Sequence, residues 1–485
     1  MAEQRPNAEL AALLAEAELS PRQLASSVNA MFGAGSVSAT AGYAWLGGTV
    51  PKAPTATRVA ALLALRLGRE VTAAQIWPGL APSSAVIPAS KGLDGPWERS
   101  IAVGAVTDWL TGGDLDRRRF VAVSGVTLMR AVWAWLEPLG TLPPGPGPFP
   151  GSGGSTLTDH IEASIPALQR LDDAYGGAAH LPYVEAQLRA VALVLREQRH
   201  PEQVVRRLLA ASATLGQLCG WMSHDAGQPG AAQRHWFTAL HAAREVGDRP
   251  LAAHIMADLC FQAASLASAA GRAPQGPAGA RRADHAHDAV VLGEAACEIA
   301  VRSPATVRAS VTSRLAAAYA AAGRREEFQA AAARAHDLLA ARQDGAEPDW
   351  MYYLTPSHLA CQAGYARIAL GRRQLGHGDR SGRADVTEGI NALRGGAFEV
   401  PAGDPSQRRA LYEGAWLALG HASLADYDEA LRLGESAAAR LDTVDSPRSA
   451  EVLATLVSHL RPRHNNHLIR EGLPGLERAL GTARR

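Results

Sequence analysis

"GWMSHDAGQPGAAQRHWFTALHAAREVGD", residues Gly220 to Asp248, decides how this chain is read. Gly227 and Pro229 divide it into two helical halves, because glycine stops a helix and proline suits the first turn of the next. Gly220, Ala232 and Ala239 place small residues at spacings of 12 and 7. Two antiparallel helices need small side chains where they approach most closely. The same spacings recur at Ala418, Ala430 and Ala437, and at Ala316, Phe328 and Ala335, where a phenylalanine stands in a position that is usually small. Gly227 and Gly323 each fall seven residues after the first member of their set. An alanine-rich chain makes such triplets by chance. Their agreement with turn glycines and helix length favours true helix pairs, with Gly220 facing Ala232 across the first of them.

Helix pairs of about 34 residues are the tetratricopeptide pattern. Amphipathic helices with short glycine-containing turns continue from Thr156, interrupted by "GRAPQGPAGARR" from Gly271. The fold class expected is therefore all-α, with a tetratricopeptide-like solenoid over residues 156–485. The first helix of each pair builds the concave face of such an array. That register puts Thr214, Gln217, Trp221, His224 and Asp225 on the face, followed by Ser310 and Ser313 and then Tyr412 and Ser423. Gln217, Trp221, His224, Asp225, Ser313 and Tyr412 are the candidates for holding a peptide or protein partner. Trp221 supplies an apolar anchor beside polar groups, although packing and capping explain any one of these residues somewhat better. No cluster of basic residues suited to a terminal carboxylate is legible.

Toward the amino terminus, residues 1–78 read as five short helices, the size of a small DNA-binding domain. Ser20 caps the second helix, and Gly47 and Gly48 end a third, "SATAGYAWL". Thr55 is the expected cap of the fourth. Leu24, Ala25, Val28, Trp45, Val59 and Leu62 follow the helical apolar pattern and are the expected core. In a helix-turn-helix the third helix would read DNA, yet "SATAGYAWLGG" contains no Arg, Lys, Asn or Gln. Gln23, Ser36, Ser38, Thr40 and Tyr43 remain as surface candidates, with Arg22, Lys52 and Arg58 as phosphate contacts. Six basic and five acidic residues lie in residues 1–80, a net of +1, so one copy should bind weakly and a homodimer is expected.

Residues 79–155 are the expected connector. Trp97 to Leu136 is hydrophobic and reads as helical. Within it "DRRRFVAVSGVTL" resembles a twin-arginine export motif. It lies far inside the chain and Arg130 interrupts its apolar run, so export is not favoured. Between Glu137 and Ser155, 12 of 19 residues are Pro or Gly, a flexible linker by composition.

Several stretches together carry a likeness to known proteins: "SPRQLASSVN", "GYAWLGGTVPKAP", "LALRLGREVTAAQI", "LDRRRFVAVSG", "LDDAYGG", the Gly220–Asp248 stretch and "SPRSAEVLATLVSHL". They resemble a family of actinobacterial regulators in which a Cro/repressor-type helix-turn-helix precedes tetratricopeptide repeats. Some members act in Streptomyces differentiation and antibiotic control. The resemblance implies a DNA-binding transcriptional regulator, with double-stranded DNA as one partner and a peptide or protein on the repeats as another.

Composition narrows the rest. The chain is 47% hydrophobic but only 5% aromatic, with a formal net charge of +1. Alanine is the commonest apolar residue, which favours closely packed helices. Lys52 and Lys91 are the only lysines, an arginine bias that suggests a GC-rich genome. Cys219, Cys260, Cys297 and Cys361 are far apart and read as small core residues in a reducing compartment. The amino terminus lacks a signal-peptide pattern and no long uninterrupted apolar run occurs, so a cytoplasmic chain with no membrane partner is expected. "DHAHD" (Asp284 to Asp288) and "HNNH" (His464 to His467) read as solvated loop or helix-end residues rather than metal ligands. No phosphate loop, nucleophile elbow or Cys–His pattern is present, so neither enzyme nor cofactor is expected. The competing reading is an interaction scaffold with a vestigial helix-turn-helix.

Overall fold

The computed structural model describes residues 6–32, 37–51, 53–67, 71, 73–77, 87–88, 120–125, 128, 156–197, 200–268, 277–343 and 345–483. Among these the chain is all-α apart from a two-residue parallel pairing of Ile87–Pro88 with Phe120–Val121. Five helices come first: α1 (Ala8–Glu16), α2 (Pro21–Phe32), α3 (Ala41–Leu46), α4 (Ala53–Leu67) and α5 (Ala73–Ile76). Local side chains set their ends. Asn7 accepts from the Leu10 N–H at 2.9 Å and donates to the Ile76 carbonyl at 2.8 Å, tying the first helix to the fifth. Ser20 and Gln23 cap α2 reciprocally, at 3.2 and 2.8 Å. The Asn29 amide brackets Val37, with both bonds at 2.8 Å. Val37 is thus held outside the third helix, which starts after Thr40 and is shorter than "SATAGYAWL". The fourth helix starts at Ala53, two residues before its expected cap. Leu24, Ala25, Val28, Trp45, Val59 and Leu62 are all buried as expected, together with Leu10, Leu13 and Trp77.

From Thr156 the helices pack pairwise in chain order, as in a helical array. The pairs are α6 (Thr156–Tyr175) with α7 (Gly177–Glu197), α8 (Glu202–Asp225) with α9 (Pro229–Val246), and α10 (Arg249–Ser268) with α11 (Pro277–Ile299). They continue with α12 (Ala305–Ala322) and α13 (Arg325–Ala340), then α14 (Pro356–Gly376) and α15 (Gly382–Leu393). Last come α16 (Gln407–Ser423) with α17 (Tyr427–Ala438), and α18 (Pro447–Leu460) with α19 (His467–Ala483). By length and composition α10 could cross a membrane, but most of it is buried against its neighbours.

Small residues let the pairs close, with one shift from expectation. The atoms nearest a side chain at Gly220 belong to Trp236 rather than Ala232. A side chain at Gly220 would begin 2.3 Å from Nε1 of Trp236, while Gly216 faces Ala239 at 3.1 Å. The absent side chain at Gly220 makes room for a wholly buried indole, one helical turn from the expected meeting point. Phe328 occupies its unusual position by packing among Ala316, Ala320, Ala366 and Leu370.

The turns carry a second regularity. Gly227 and Gly323 take left-handed backbone angles, φ 71° and 79°. The third set puts Ala425 at the matching turn, with φ 66°. Alanine in that region is strained by roughly 1–2 kcal/mol, part of which glycine returns through its greater freedom when unfolded. Ala425→Gly is expected to raise stability by about 0.5–1 kcal/mol, read as a higher midpoint of chemical unfolding.

Two expectations outside the pairs need correction. Part of the predicted Trp97–Leu136 helix is extended instead. Val123 is held like a strand residue by Gln233 of α9, which accepts from its N–H at 2.7 Å and donates to its carbonyl at 3.0 Å. "DHAHD" lies within α11 rather than in a loop, and Asp288 is buried and accepts from the Gly125 N–H at 2.8 Å. Apart from 87–88, 120–125 and 128, the expected connector over 79–155 lies outside the described residues. Helix α2 of the amino-terminal unit packs on α11 of the array.

Candidate functional site

The array curls until its ends meet. The Asp445 N–H donates to the Tyr175 carbonyl at 2.9 Å, and the Ala178 N–H donates to the Asp445 carbonyl at 3.2 Å. Arg408 at the start of α16 reaches Asp172 at 3.1 Å and Asp173 at 2.8 Å, both near the end of α6. Asp225, at the end of α8, is wholly buried. It accepts from Ser446 Oγ at 2.8 Å, Arg448 Nε at 3.1 Å and the Gly177 N–H at 3.2 Å. One carboxylate therefore joins the second helix pair to both neighbouring ends of the ring.

Closure leaves a partly open cavity of about 320 Å³. The first helices of successive pairs line it, together with the loop that precedes α14. Gln217, Trp221, Ser313 and Tyr412 reach this cavity as the repeat register predicts, and so does Thr214. His224 and Asp225 do not. His224 is packed between Trp221, Trp236 and Phe261, and burial together with Arg448 and Arg314 holds its pKa well below the usual histidine value. Asp225 is spent on the closure. The reason is helix phase: both stand at the end of α8, where the next contact is the far end of the array rather than open space.

The lining that sequence reading missed is arginine. Arg314, Arg408, Arg409 and Arg448 converge on the cavity from α12, α16 and α18. They lie on three separate helix pairs, so no local pattern in the sequence announces the cluster. Arg314, Arg408 and Arg448 surround the Trp221 ring with guanidinium carbons 5.1, 5.5 and 5.4 Å from its centroid. Such cation–π contacts strengthen when desolvated. Each arginine has an acid nearby. Arg314 Nη2 stands 3.0 Å from Asp258 Oδ1, near enough for charge pairing but without hydrogen-bond geometry at that oxygen. Gln217 donates to the other Asp258 oxygen at 2.7 Å. Arg409 pairs with Glu413 at 2.5 Å.

Burial shapes the remaining charges. It pushes the Asp172 carboxyl up to about 7, with Arg408 pulling the other way. It pushes His254 down to about 4 and His358 down to about 3, so both line the cavity as neutral rings at neutral pH. Tyr365, also lining it, is raised above the usual phenol value by burial and then by Tyr412. Arginines, neutral histidines and aromatic rings beside Asp172, Asp173 and Glu413 suit a polar ligand that brings an acid group or carbonyl acceptors.

The amino-terminal candidates form a different surface. Arg22, Gln23, Ser38, Thr40 and Tyr43 are exposed, and Arg58 is half-buried. Tyr43 is the most prominent, with 56% of its surface open. The Gln23 carbonyl oxygen is committed to its cap, so only its NH2 group would serve the base contact expected of it. Ser36 and Lys52 lie outside the described residues. No group of histidine, cysteine and carboxylate side chains that could hold a metal occurs among the described residues.

Comparison with protein families matches residues 10–78 to the SP15 N-terminal domain. The match covers the five-helix unit and stops before the array. No curated protein matches the chain.

Proposed function

We propose that this chain is a DNA-binding transcriptional regulator of the kind its sequence resembles, in which tetratricopeptide-like repeats sense a ligand or partner and govern a helix-turn-helix. The observation that carries the reading is the packing of α2 on α11 of the array. In a helix-turn-helix α2 is the helix that positions the reader, so a change in the repeats reaches the DNA-facing unit through direct contact. The exposed Arg22, Gln23, Ser38, Thr40 and Tyr43 supply phosphate and base contacts. A homodimer in the cytoplasm would present two such readers and offset the weak charge of each. Neither catalysis nor a cofactor is part of this reading.

One observation favours the second reading, a scaffold that no longer reads DNA: α3 carries only "AGYAWL", without an Arg, Lys, Asn or Gln. Genomic footprinting of the full chain separates the two. Enriched sites are expected, and changing Arg22, Lys52 and Arg58 together to Ala should weaken DNA binding at least tenfold. Three lost phosphate contacts should also reduce the slope of log K against log salt by about 3. A chain without enriched sites, or a triple variant with unchanged affinity, would establish the scaffold reading.

A further inference from the structure

Beside the arginine chamber lies a second cavity of about 100 Å³, walled largely by small side chains such as Ala264, Ala320, Ala321 and Ala369. The two adjoin. Phe261, Ala317, Tyr365, Tyr412 and Arg448 line both, so together they make one bent site with a polar end and an apolar end. The alanines form its apolar side, while Ser265, Ser268, Glu451 and Thr455 complete the wall.

Near the junction two arginines face acids yet keep one nitrogen each without a hydrogen-bond partner. Arg448 places Nε on Asp225, yet its Nη1 is buried with no acceptor. Arg314 lines the chamber, is 6% exposed, and keeps Nε buried without a partner. Buried donors of this kind are normally satisfied, and an unmet charge-assisted bond is a standing cost. Both guanidinium groups lie against the same two rings. They are 5.1 and 5.4 Å from the Trp221 centroid, and 4.9 and 5.8 Å from that of Phe261. Arg448 also lies 4.0 Å over the Tyr412 ring. Two desolvated donors beside an apolar slot describe a complementary molecule with an acid at one end and hydrocarbon at the other.

We propose that the joined cavities bind a small amphipathic carboxylate, its acid group held by Arg314 and Arg448 and its apolar tail lying in the alanine slot. The proposal rests on reading the array as the sensing half of the protein, and it names the class of molecule sensed. An acid that meets Arg448 need not displace Asp225, because a guanidinium can serve two acceptors from different nitrogens.

The test uses octanoate as the probe and octanamide as its neutral counterpart of equal shape, titrated against the full chain by calorimetry in the absence of DNA. Octanoate is expected to bind at least tenfold more tightly than octanamide. Arg448→Lys should lose at least tenfold for octanoate, since a single ammonium cannot face Asp225 and the ligand together. Ala317→Phe fills the junction and should abolish binding. Ser265→Leu, which narrows the slot alone, gives a second reading should the first variant fold poorly. Equal affinity for octanoate and octanamide would overturn the proposal. So would binding that is indifferent to both slot variants, or tighter binding of the tripeptide Ala-Ala-Leu that ignores them. Because no DNA is present, failure of the regulator reading shows itself separately, as absent genomic sites beside intact octanoate binding.

Discussion

Asp225→Ala is expected to destabilise the protein by about 3–5 kcal/mol and to open the ring of helices. The carboxylate is wholly buried and holds three partners, the Gly177 N–H, Ser446 Oγ and Arg448 Nε. Alanine leaves the Arg448 side chain, only 10% exposed, with a buried charge and no counter-ion. That penalty, more than the lost attraction, sets the size of the effect. The closing backbone bonds of Asp445 to Tyr175 and Ala178 lie beside the same point and should weaken with it. Chemical unfolding reads the stability, and solution scattering reads the ring as an increased radius of gyration. Replacing both partners, Asp225→Leu with Arg448→Met, should recover most of the lost stability, because apolar pairs often replace buried ion pairs at little cost. A single variant within about 0.5 kcal/mol of the parent would show that Asp225 is not the clasp.

Trp236→Ala should cost a similar amount, about 3–5 kcal/mol. Trp236 is the largest wholly buried side chain of the described residues. Its indole N–H donates to the Gln217 carbonyl at 3.2 Å, and its ring fills the space that Gly220 leaves open. The neighbouring helices cannot collapse into the hole without breaking contacts on both sides, so a cavity remains. The paired substitution is more telling. Gly220→Ala alone should cost about 1–3 kcal/mol, since its new methyl begins 2.3 Å from the indole nitrogen. In the Trp236→Ala background the same change should cost almost nothing, and a double-mutant cycle of unfolding free energies would show the coupling. Additive costs would mean that the two residues do not share the contact.

Much of this architecture was legible in the chain because it is local. Helix pairs announce themselves through apolar period, turn glycines and small residues, all within about 34 residues of one another. Ala418, Ala430 and Ala437 are each buried as their spacing predicts. The cap formed by Ser20 and Gln23 is likewise a short-range pattern. Even the repeat register could be carried forward to a face, and Gln217, Trp221, Ser313 and Tyr412 do share one cavity. The register failed at His224 and Asp225 for a reason that no local pattern holds. It treats the face as open to solvent, whereas this array bends round until α18 covers the end of α8.

Sequence by itself therefore determined the all-α class, the pairing of neighbouring helices and the core of the amino-terminal unit, since period, capping and turn chemistry act over a few residues. Tertiary structure alone decided that the array closes, that Asp225 is a clasp and that Arg314, Arg408, Arg409 and Arg448 surround one chamber. Those outcomes depend on the summed curvature of seven helix pairs, to which each pair adds a small rotation. An arginine on one pair has no local signal of the partner that this rotation brings to it. Its charge becomes informative only when burial removes water and leaves the carboxylates and rings of distant helices as its surroundings.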